Sequence, residues 1–252
     1  MKSFIILLIV ASHSIFAQDE LTYERALAHY KAASYQESLQ TIREIIKADK
    51  PRYELHYLAA FNYWNLKEIR PALNHFQAAI KFKPDDTRAY IDIIKLYTSA
   101  QMFKPALELC EDAVKKFPLE AELKFQQVSL LLKFGKTEMA LEIIEKLKLS
   151  LVEDYRPLSL EANIYYMKRD FEKAEISLKW ASALAPNNPN LKNNLALIYE
   201  QIAISYLKAN DKAKAKINLE LAKLQIESAI DTNQNTIFLE NQKRINNLYE
   251  KL

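Results

Sequence analysis

Residues 59–86, AAFNYWNLKEIRPALNHFQAAIKFKPDD, contain a spacing of small, aromatic and proline residues that returns along most of the chain. The alanine in the middle of this stretch recurs every 34 residues, at Ala72, Ala106, Ala140 and Ala174. Ser38, another small residue, lies one period earlier. A fixed period of this length indicates a repeat protein in which each unit is one supersecondary element.

Three further series keep the same 34-residue period. Alanine follows seven residues after the first series at Ala79, Ala113 and Ala181, with Leu147 in the remaining place. Proline follows after twelve residues at Pro84, Pro118 and Pro186, with Val152 in the remaining place. Tyrosine precedes the first series by nine residues at Tyr63, Tyr97 and Tyr165, with Leu131 in the remaining place. A two-helix unit explains all of them, because small residues allow close helix contact and proline ends the second helix.

The segments 59–86 and 162–189 resemble tetratricopeptide repeats. The small residue of that family matches Ala60 and Ala162, its aromatic before the second helix matches Phe103 and Phe171, and its turn glycine appears as Gly135. The resemblance covers about residues 19–234 and implies an all-α fold. The expected architecture is an α-solenoid of about six helix-turn-helix units with a C-terminal capping helix. A single glycine in 252 residues agrees with this, since hairpins and bulges depend on glycine.

The expected domains are a signal peptide, residues 1–17, which is inferred from its apolar run, and a single superhelical domain, residues 18–252, which is inferred from the period. The expected units are 19–52, 53–86, 87–120, 121–154, 155–188 and 189–234, and the capping helix is 235–252. The fourth unit lacks its proline, so its second helix is predicted to run on toward Val152. In the sixth unit the period lengthens by 14 residues, which predicts two extra turns on each of its helices.

The first 17 residues, MKSFIILLIVASHSIFA, have the layout of a secretory signal peptide. A lysine is followed by a short apolar run, and small residues lead to a cleavage position after Ala17. The expected mature protein begins at Gln18 and is exported, either periplasmic or secreted. The alternative is an uncleaved segment that anchors the protein to a membrane.

The residue content gives no positive sign of an enzyme. Gly-rich phosphate loops are absent, and the histidines show no metal-ligand spacing, so no catalytic residue, cofactor or metal is expected. Cys110, the only cysteine, is interpreted as a small buried apolar residue. The net charge of +3 is too balanced to predict a nucleic-acid partner.

The candidate binding surface comes from the resemblance, which implies that the first helix of each unit lines a concave groove. The residues that this places in the groove are Tyr57, Phe61, Trp64, Arg88, Ile91, Lys95, Phe125, Gln126, Arg156, Asn163, Tyr166 and Asn194. Tyr57, Phe61 and Trp64 lie on one helical face. These rings either anchor an apolar side chain of a partner or pack against the helices of the first unit.

The carboxylate clamp of some tetratricopeptide proteins is not expected here. Only Asn163 and Asn194 match its arrangement, and Ser159 stands where its first lysine would be. The sequence therefore favours an exported scaffold that holds a protein or peptide in its groove, in a cell-envelope or secretion assembly. The alternative function is a glycan-binding auxiliary module of a surface complex. A membrane contact is expected only through an associated complex or an uncleaved signal, and the oligomeric state is left open.

Overall fold

The computed structural model describes residues 23–48 and 51–252, and in these ranges every regular element is an α-helix. Helix α1 is described over residues 23–31. The other helices are α2 Tyr35–Lys47, α3 Tyr53–Asn65, α4 Ile69–Phe82, α5 Thr87–Ser99, α6 Phe103–Lys116, α7 Ala121–Lys133, α8 Thr137–Ser150, α9 Arg156–Met167, α10 Phe171–Leu184, α11 Pro189–Lys208, α12 Lys212–Thr232 and α13 Thr236–Tyr249. The predicted all-α solenoid of helix-turn-helix units is confirmed. The predicted signal peptide, residues 1–17, lies outside the described residues.

Two compact units divide the chain, with the boundary between Phe134 and Gly135. In the N-terminal unit, α1 to α3 share one core around Leu39, Ile42 and Leu55, and α3 to α5 share a second around Phe76. In the C-terminal unit, the core runs from α9 to α13 and is built largely from alanine, leucine and isoleucine. No helix in the described parts of the chain is both long and apolar enough to cross a membrane.

The 34-residue alanines lie at equivalent, buried positions of the second helix of each repeat. Ala72, Ala106, Ala140 and Ala174 are all fully buried, and so is Ser38 at the equivalent place in the first repeat. The Ser38 hydroxyl donates to the Ala26 carbonyl oxygen of α1 at 2.8 Å, so its polar atom is satisfied inside the core. Small side chains let neighbouring helix axes approach closely, which explains why small residues recur with the period.

The turn inside each repeat has one backbone conformation. A residue with φ between 58° and 69° follows the first helix at 34-residue intervals, at Ala33, Lys67, Gln101, Gly135 and Arg169. In the third repeat, the Gln101 amide donates to Thr98 and the Met102 amide donates to Tyr97, which closes the end of α5 with two hydrogen bonds. Glycine suits this left-handed conformation, yet the chain uses it only once, because these paired bonds hold the turn in the other repeats as well.

The end of the second helix corrects one prediction. Helices α4, α6 and α10 end just before the residue that precedes Pro84, Pro118 and Pro186, because that residue is driven into an extended conformation. The predicted extension of α8 toward Val152 is wrong, since α8 ends at Ser150 and has the same 14-residue length as α4. Leu151 takes φ −128° without a following proline, and the Asp154 amide closes the turn on its carbonyl oxygen at 3.0 Å.

The sixth repeat has the predicted extra length. Helices α11 and α12 contain 20 and 21 residues, against 13 and 14 in α3 and α4, so each gains about two turns. The left-handed residue of this repeat is Asn210, seven residues later than the period requires, which places the insertion equally on both sides of the turn. Helix α13 follows, and its first turn is capped by the Asn235 side chain.

Candidate binding surfaces

Five rings form an aromatic cluster in the N-terminal unit: Tyr30 of α1, Tyr57, Phe61 and Trp64 of α3, and Phe76 of α4. Phe76 is fully buried, and Tyr57, Phe61 and Trp64 contact it edge-on, with ring centroids at 5.7, 5.3 and 6.3 Å. Phe61 stacks on Trp64 at 5.8 Å, and Tyr30 meets Phe61 at 6.5 Å. Phe61 and Trp64 remain half-buried. One side of the cluster therefore packs on the buried Phe76 ring, and the other side is open to solvent.

A pocket of about 660 Å³ lies against this open side. Its apolar wall is made by Tyr30, Phe61, Trp64 and Ile69. Its polar rim comes from the ends of α3 and α5, at Asn65, Lys67 and Ser99. The stripe of Tyr57, Phe61 and Trp64 thus has both properties that the sequence left open, since its rings pack on α1 and α4 and two of them also line a pocket.

Tyr57 occupies a different place from the other two rings of the stripe. Its hydroxyl donates a short hydrogen bond to the Asp92 carboxylate of α5. Burial together with this hydrogen bond raises the pKa of Tyr57, and burial also raises the pKa of Asp92. Tyr57 does not line the pocket, so its part is to join α3 to α5.

The two arginines predicted to lie in the groove each bind an aspartate two residues earlier in the chain. Arg88 Nε donates to both Asp86 carboxylate oxygens at 2.9 and 3.1 Å, while Asp86 caps α5 by accepting from the Arg88 amide. This hydrogen bonding lowers the pKa of Asp86 to about 2. Arg156 and Asp154 repeat the arrangement at the start of α9, with Nε distances of 3.1 and 2.9 Å. Both guanidinium groups therefore already hold a carboxylate, although Arg88 and Arg156 are exposed, as Lys95 also is.

Other predicted residues of the N-terminal unit divide between core and surface. Ile91 and Phe125 are only 8% and 6% exposed, so their side chains belong to the core instead of an open groove. Gln126 is half-buried and donates to the Glu122 side chain of the same helix at 3.0 Å. Sequence reasoning placed these residues by their position along a helix, whereas their rotation about the helix axis decides their exposure.

The predicted residues of the C-terminal unit are polar and lie on α9 and α11. Asn163 is exposed, and Tyr166 and Asn194 are half-buried. The charges of Glu200 and Arg244 act on Tyr166, and its pKa is raised by burial first and by Glu200 second. Asn163 is therefore the predicted amide that is most open to a partner in this unit.

A buried polar network that the sequence did not indicate attaches α13 to α11. Glu200 is 1% exposed and accepts from Arg244 Nε and Nη2 at 2.6 and 2.7 Å. Asn241 donates to Asn193 at 2.8 Å and accepts from Arg244 at 2.9 Å. The bidentate, charge-assisted hydrogen bonds between Arg244 and Glu200 fix the register of the capping helix against α11.

Cys110 fits its predicted structural place. It is fully buried in α6, and its Sγ lies 3.4 Å from the Leu123 carbonyl oxygen of α7. Burial raises the pKa of the Cys110 thiol to about 12, so the nucleophilic thiolate is scarce at neutral pH.

Two histidines that look unrelated in sequence lie side by side in the second repeat. His56 of α3 and His75 of α4 have their Nδ1 atoms 3.1 Å apart. Burial lowers the pKa of both rings, that of His75 to about 4 with smaller contributions from His56 and Arg43. Spacing along a single helix does not reveal this pair. The sequence signal that would predict it is the antiparallel pairing of α3 and α4 around the turn at Lys67, which brings His56 opposite His75.

Larger ligand clusters are not found in the described residues. Within 23–48 and 51–252, no group of three or more His, Cys, Asp or Glu side chains is placed to hold a metal ion. Three carboxylates lie close to predicted groove residues, and each accepts a hydrogen bond from an arginine or a tyrosine. They belong to Asp86, Asp92 and Asp154.

Comparisons with known proteins give structural matches only. No protein-family model matches the sequence, and no curated protein matches it. The C-terminal part of a TPR repeat-containing protein from Cytophaga hutchinsonii is 16% identical, with a TM-score of 0.68 and 92% of each chain covered. YrrB, described as a TPR protein with an unusual peptide-binding site, is 16% identical with a TM-score of 0.52, covering 81% of this chain and 97% of that one.

A third match is human IFIT1, solved as a dimer with m7Gppp-AAAA. It is 16% identical with a TM-score of 0.59, and the match covers 88% of this chain and 54% of IFIT1. At these identities the likeness concerns the fold and leaves ligands and partners undecided. The repeat period, the helix pairs and these matches together show that the chain has the fold of the tetratricopeptide-repeat proteins.

Proposed function

We propose that this chain is a protein-binding scaffold that holds a peptide segment of its partner against the aromatic cluster of the N-terminal unit. The observation that carries the proposal is the 660 Å³ pocket beside Phe61 and Trp64. Rings that are fixed by buried neighbours lose little side-chain entropy on binding, which suits them as anchors for a partner.

The chemistry of the pocket favours a peptide with one large apolar side chain. The wall is aromatic and aliphatic, while the rim offers the Lys67 ammonium, the Asn65 amide and the Ser99 hydroxyl. Such a rim suits the amide groups or an acidic residue that flank the buried side chain. Lys67 is exposed, so its contribution is to association rate and salt dependence more than to affinity.

A peptide partner is favoured over the alternative glycan partner by the arrangement of the rings. A sugar platform needs exposed, coplanar aromatics beside acid and amide groups. Here Phe61 and Trp64 stack on each other, and none of the described residues that line the pocket carries a carboxylate. The fold itself is compatible with other ligands, as the IFIT1 structure with m7Gppp-AAAA illustrates, whereas the nearly balanced charge of this chain supports a protein partner.

Export is part of the proposal and rests on the apolar run within residues 1–17. An exported scaffold of this kind belongs in an assembly of the cell envelope or of a secretion pathway. Cofactor-dependent catalysis has no place in the proposal, since nothing in the residue content or in the described site supports it.

The test detects binding through the fluorescence of Trp64, which lines the pocket. The chain has two tryptophans, and Trp180 is 65% exposed in the C-terminal unit, so a Trp180→Phe background leaves Trp64 as the single emitter. A library of immobilised peptides and a glycan array are screened, and hits are titrated by Trp64 fluorescence. Peptides with a large apolar side chain are expected to bind and to shift the emission.

Two variants decide whether the aromatic cluster is the site. Phe61→Ala removes a central anchor and is expected to cost about 2 kcal/mol or more in binding. Phe134→Ala is the matched control, because it removes an exposed ring of the same unit outside the pocket. Circular dichroism checks that both remain helical. Unchanged binding by folded Phe61→Ala, or hits confined to glycans, would refute the proposed site.

A further inference from the structure

We propose that His56 and His75 form a binding site for a divalent transition metal that prefers imidazole nitrogen, such as Zn²⁺ or Cu²⁺. The two residues come from different helices of the second repeat, α3 and α4, and their Nδ1 atoms approach to 3.1 Å. This inference is independent of peptide binding, since neither histidine lines the pocket beside Phe61.

The distance between the nitrogens suits a shared metal ion. With metal–nitrogen bonds of about 2.0–2.1 Å, a separation of 3.1 Å corresponds to a nitrogen–metal–nitrogen angle of about 98°. That angle lies between square-planar and tetrahedral values, so it serves Cu²⁺ and Zn²⁺ without a large movement of either helix. Water completes the coordination, because among the described residues no third His, Cys, Asp or Glu side chain joins these two ligands.

The rings are held in place by aromatic neighbours. His56 stacks on Phe82 at 5.6 Å, and His75 stacks on Tyr63 at 5.4 Å. Stacking restricts rotation about the side-chain bonds, so less entropy is lost when a metal binds. Burial lowers the pKa of both rings and so favours the neutral imidazole, which is the form that binds metal.

The proton balance of binding follows from the existing hydrogen bond. In the neutral pair one Nδ1 carries a proton and donates it to the other. When the metal takes both Nδ1 lone pairs, the donor ring moves that proton to its Nε2 through solvent. Two neutral rings therefore bind the ion with no net proton release.

Arg43 sets a measurable limit on affinity. Its Nη2 donates to the Tyr63 hydroxyl at 3.2 Å, and its positive charge contributes to the lowered pKa of His75. The same charge repels a bound cation. Removing it with Arg43→Gln is therefore expected to tighten metal binding, which a pair that merely shares a hydrogen bond would not show.

The experiment titrates the untagged full chain with Cu²⁺ and Zn²⁺ by calorimetry and records the Cu²⁺ electron paramagnetic resonance spectrum. One ion per chain and hyperfine coupling to two imidazole nitrogens are expected. His56→Asn or His75→Asn should weaken binding by about tenfold or more, because the remaining imidazole binds alone. His29→Asn, on α1, is the control and should leave the affinity unchanged.

Thermal unfolding provides a readout that is independent of the spectroscopy. A ligand that binds only the folded state raises the Tm as its concentration exceeds its Kd. Zn²⁺ should raise the Tm of the wild type and of His29→Asn, and should not raise that of His75→Asn. Equal affinity in wild type and His56→Asn, or loss of binding in His29→Asn, would overturn the proposal and leave His56 and His75 as a hydrogen-bonded pair only.

Discussion

The left-handed residue in each repeat turn predicts that glycine stabilises this chain at positions where it is not found. Gln101 has φ 59°, a conformation in which a side chain with a Cβ costs about 1–2 kcal/mol relative to glycine. Glycine also gains entropy in the unfolded chain, which offsets about 0.4–1 kcal/mol. Gln101→Gly is therefore expected to stabilise the protein by about 0.5–1 kcal/mol in net terms.

Gly135 supplies the reverse experiment. Its φ is 69°, and beyond its two chain neighbours a Cβ added there would meet none of the described atoms within 4 Å, so the backbone conformation sets the cost. Gly135→Ala is expected to destabilise by about 1 kcal/mol. The sign of the effect should thus reverse between two equivalent positions of consecutive repeats, because they share one turn geometry.

Urea denaturation followed by circular dichroism measures these differences. Gln101→Ala is the first control, since it keeps the Cβ in the left-handed region and should give no gain. Gln77→Gly is the second, because Gln77 is an exposed residue inside α4, where glycine is expected to cost about 0.5–1 kcal/mol. If Gln101→Gly destabilises as Gln77→Gly does, the reasoning from φ is refuted.

Three further predictions address the core, the histidines and the N-terminus. Ala106→Trp should overpack the helix contact and cost about 1–3 kcal/mol, while Ala183→Trp on the exposed face of α10 should cost little, as urea denaturation will show. Because the folded pKa of His75 is about 4 and the usual value 6.5, the unfolded chain binds more protons between these pH values. Stability should therefore fall as pH drops from 7 to 5, and allowing for partial solvent exposure His75→Asn should remove about 1 kcal/mol of that loss, measured as the difference between the two denaturation series. Mass spectrometry of the exported protein should find Gln18 at or near its N-terminus, and intact Met1 would contradict cleavage.

The candidate site was predictable only in its residue types. The spacing of Tyr57, Phe61 and Trp64 placed them on one face, and two of them do line a pocket. The burial of Ile91 and Phe125 was not predictable, because small differences in helix rotation decide which side chains enter the core. The arginines were assigned to a groove, but each has an aspartate two residues earlier that accepts hydrogen bonds from its backbone amide and its guanidinium.

The sequence by itself determined the repeat, because its signals act over short distances. A small residue at a helix contact, a proline after a helix and a doubled insertion in repeat six each act within one 34-residue period. The tertiary structure alone decided which distant side chains meet, as His56 meets His75 and Glu200 meets Arg244. Those contacts depend on the register and rotation of packed helices. Packing of the whole core determines that register and rotation, and residue spacing within one helix does not.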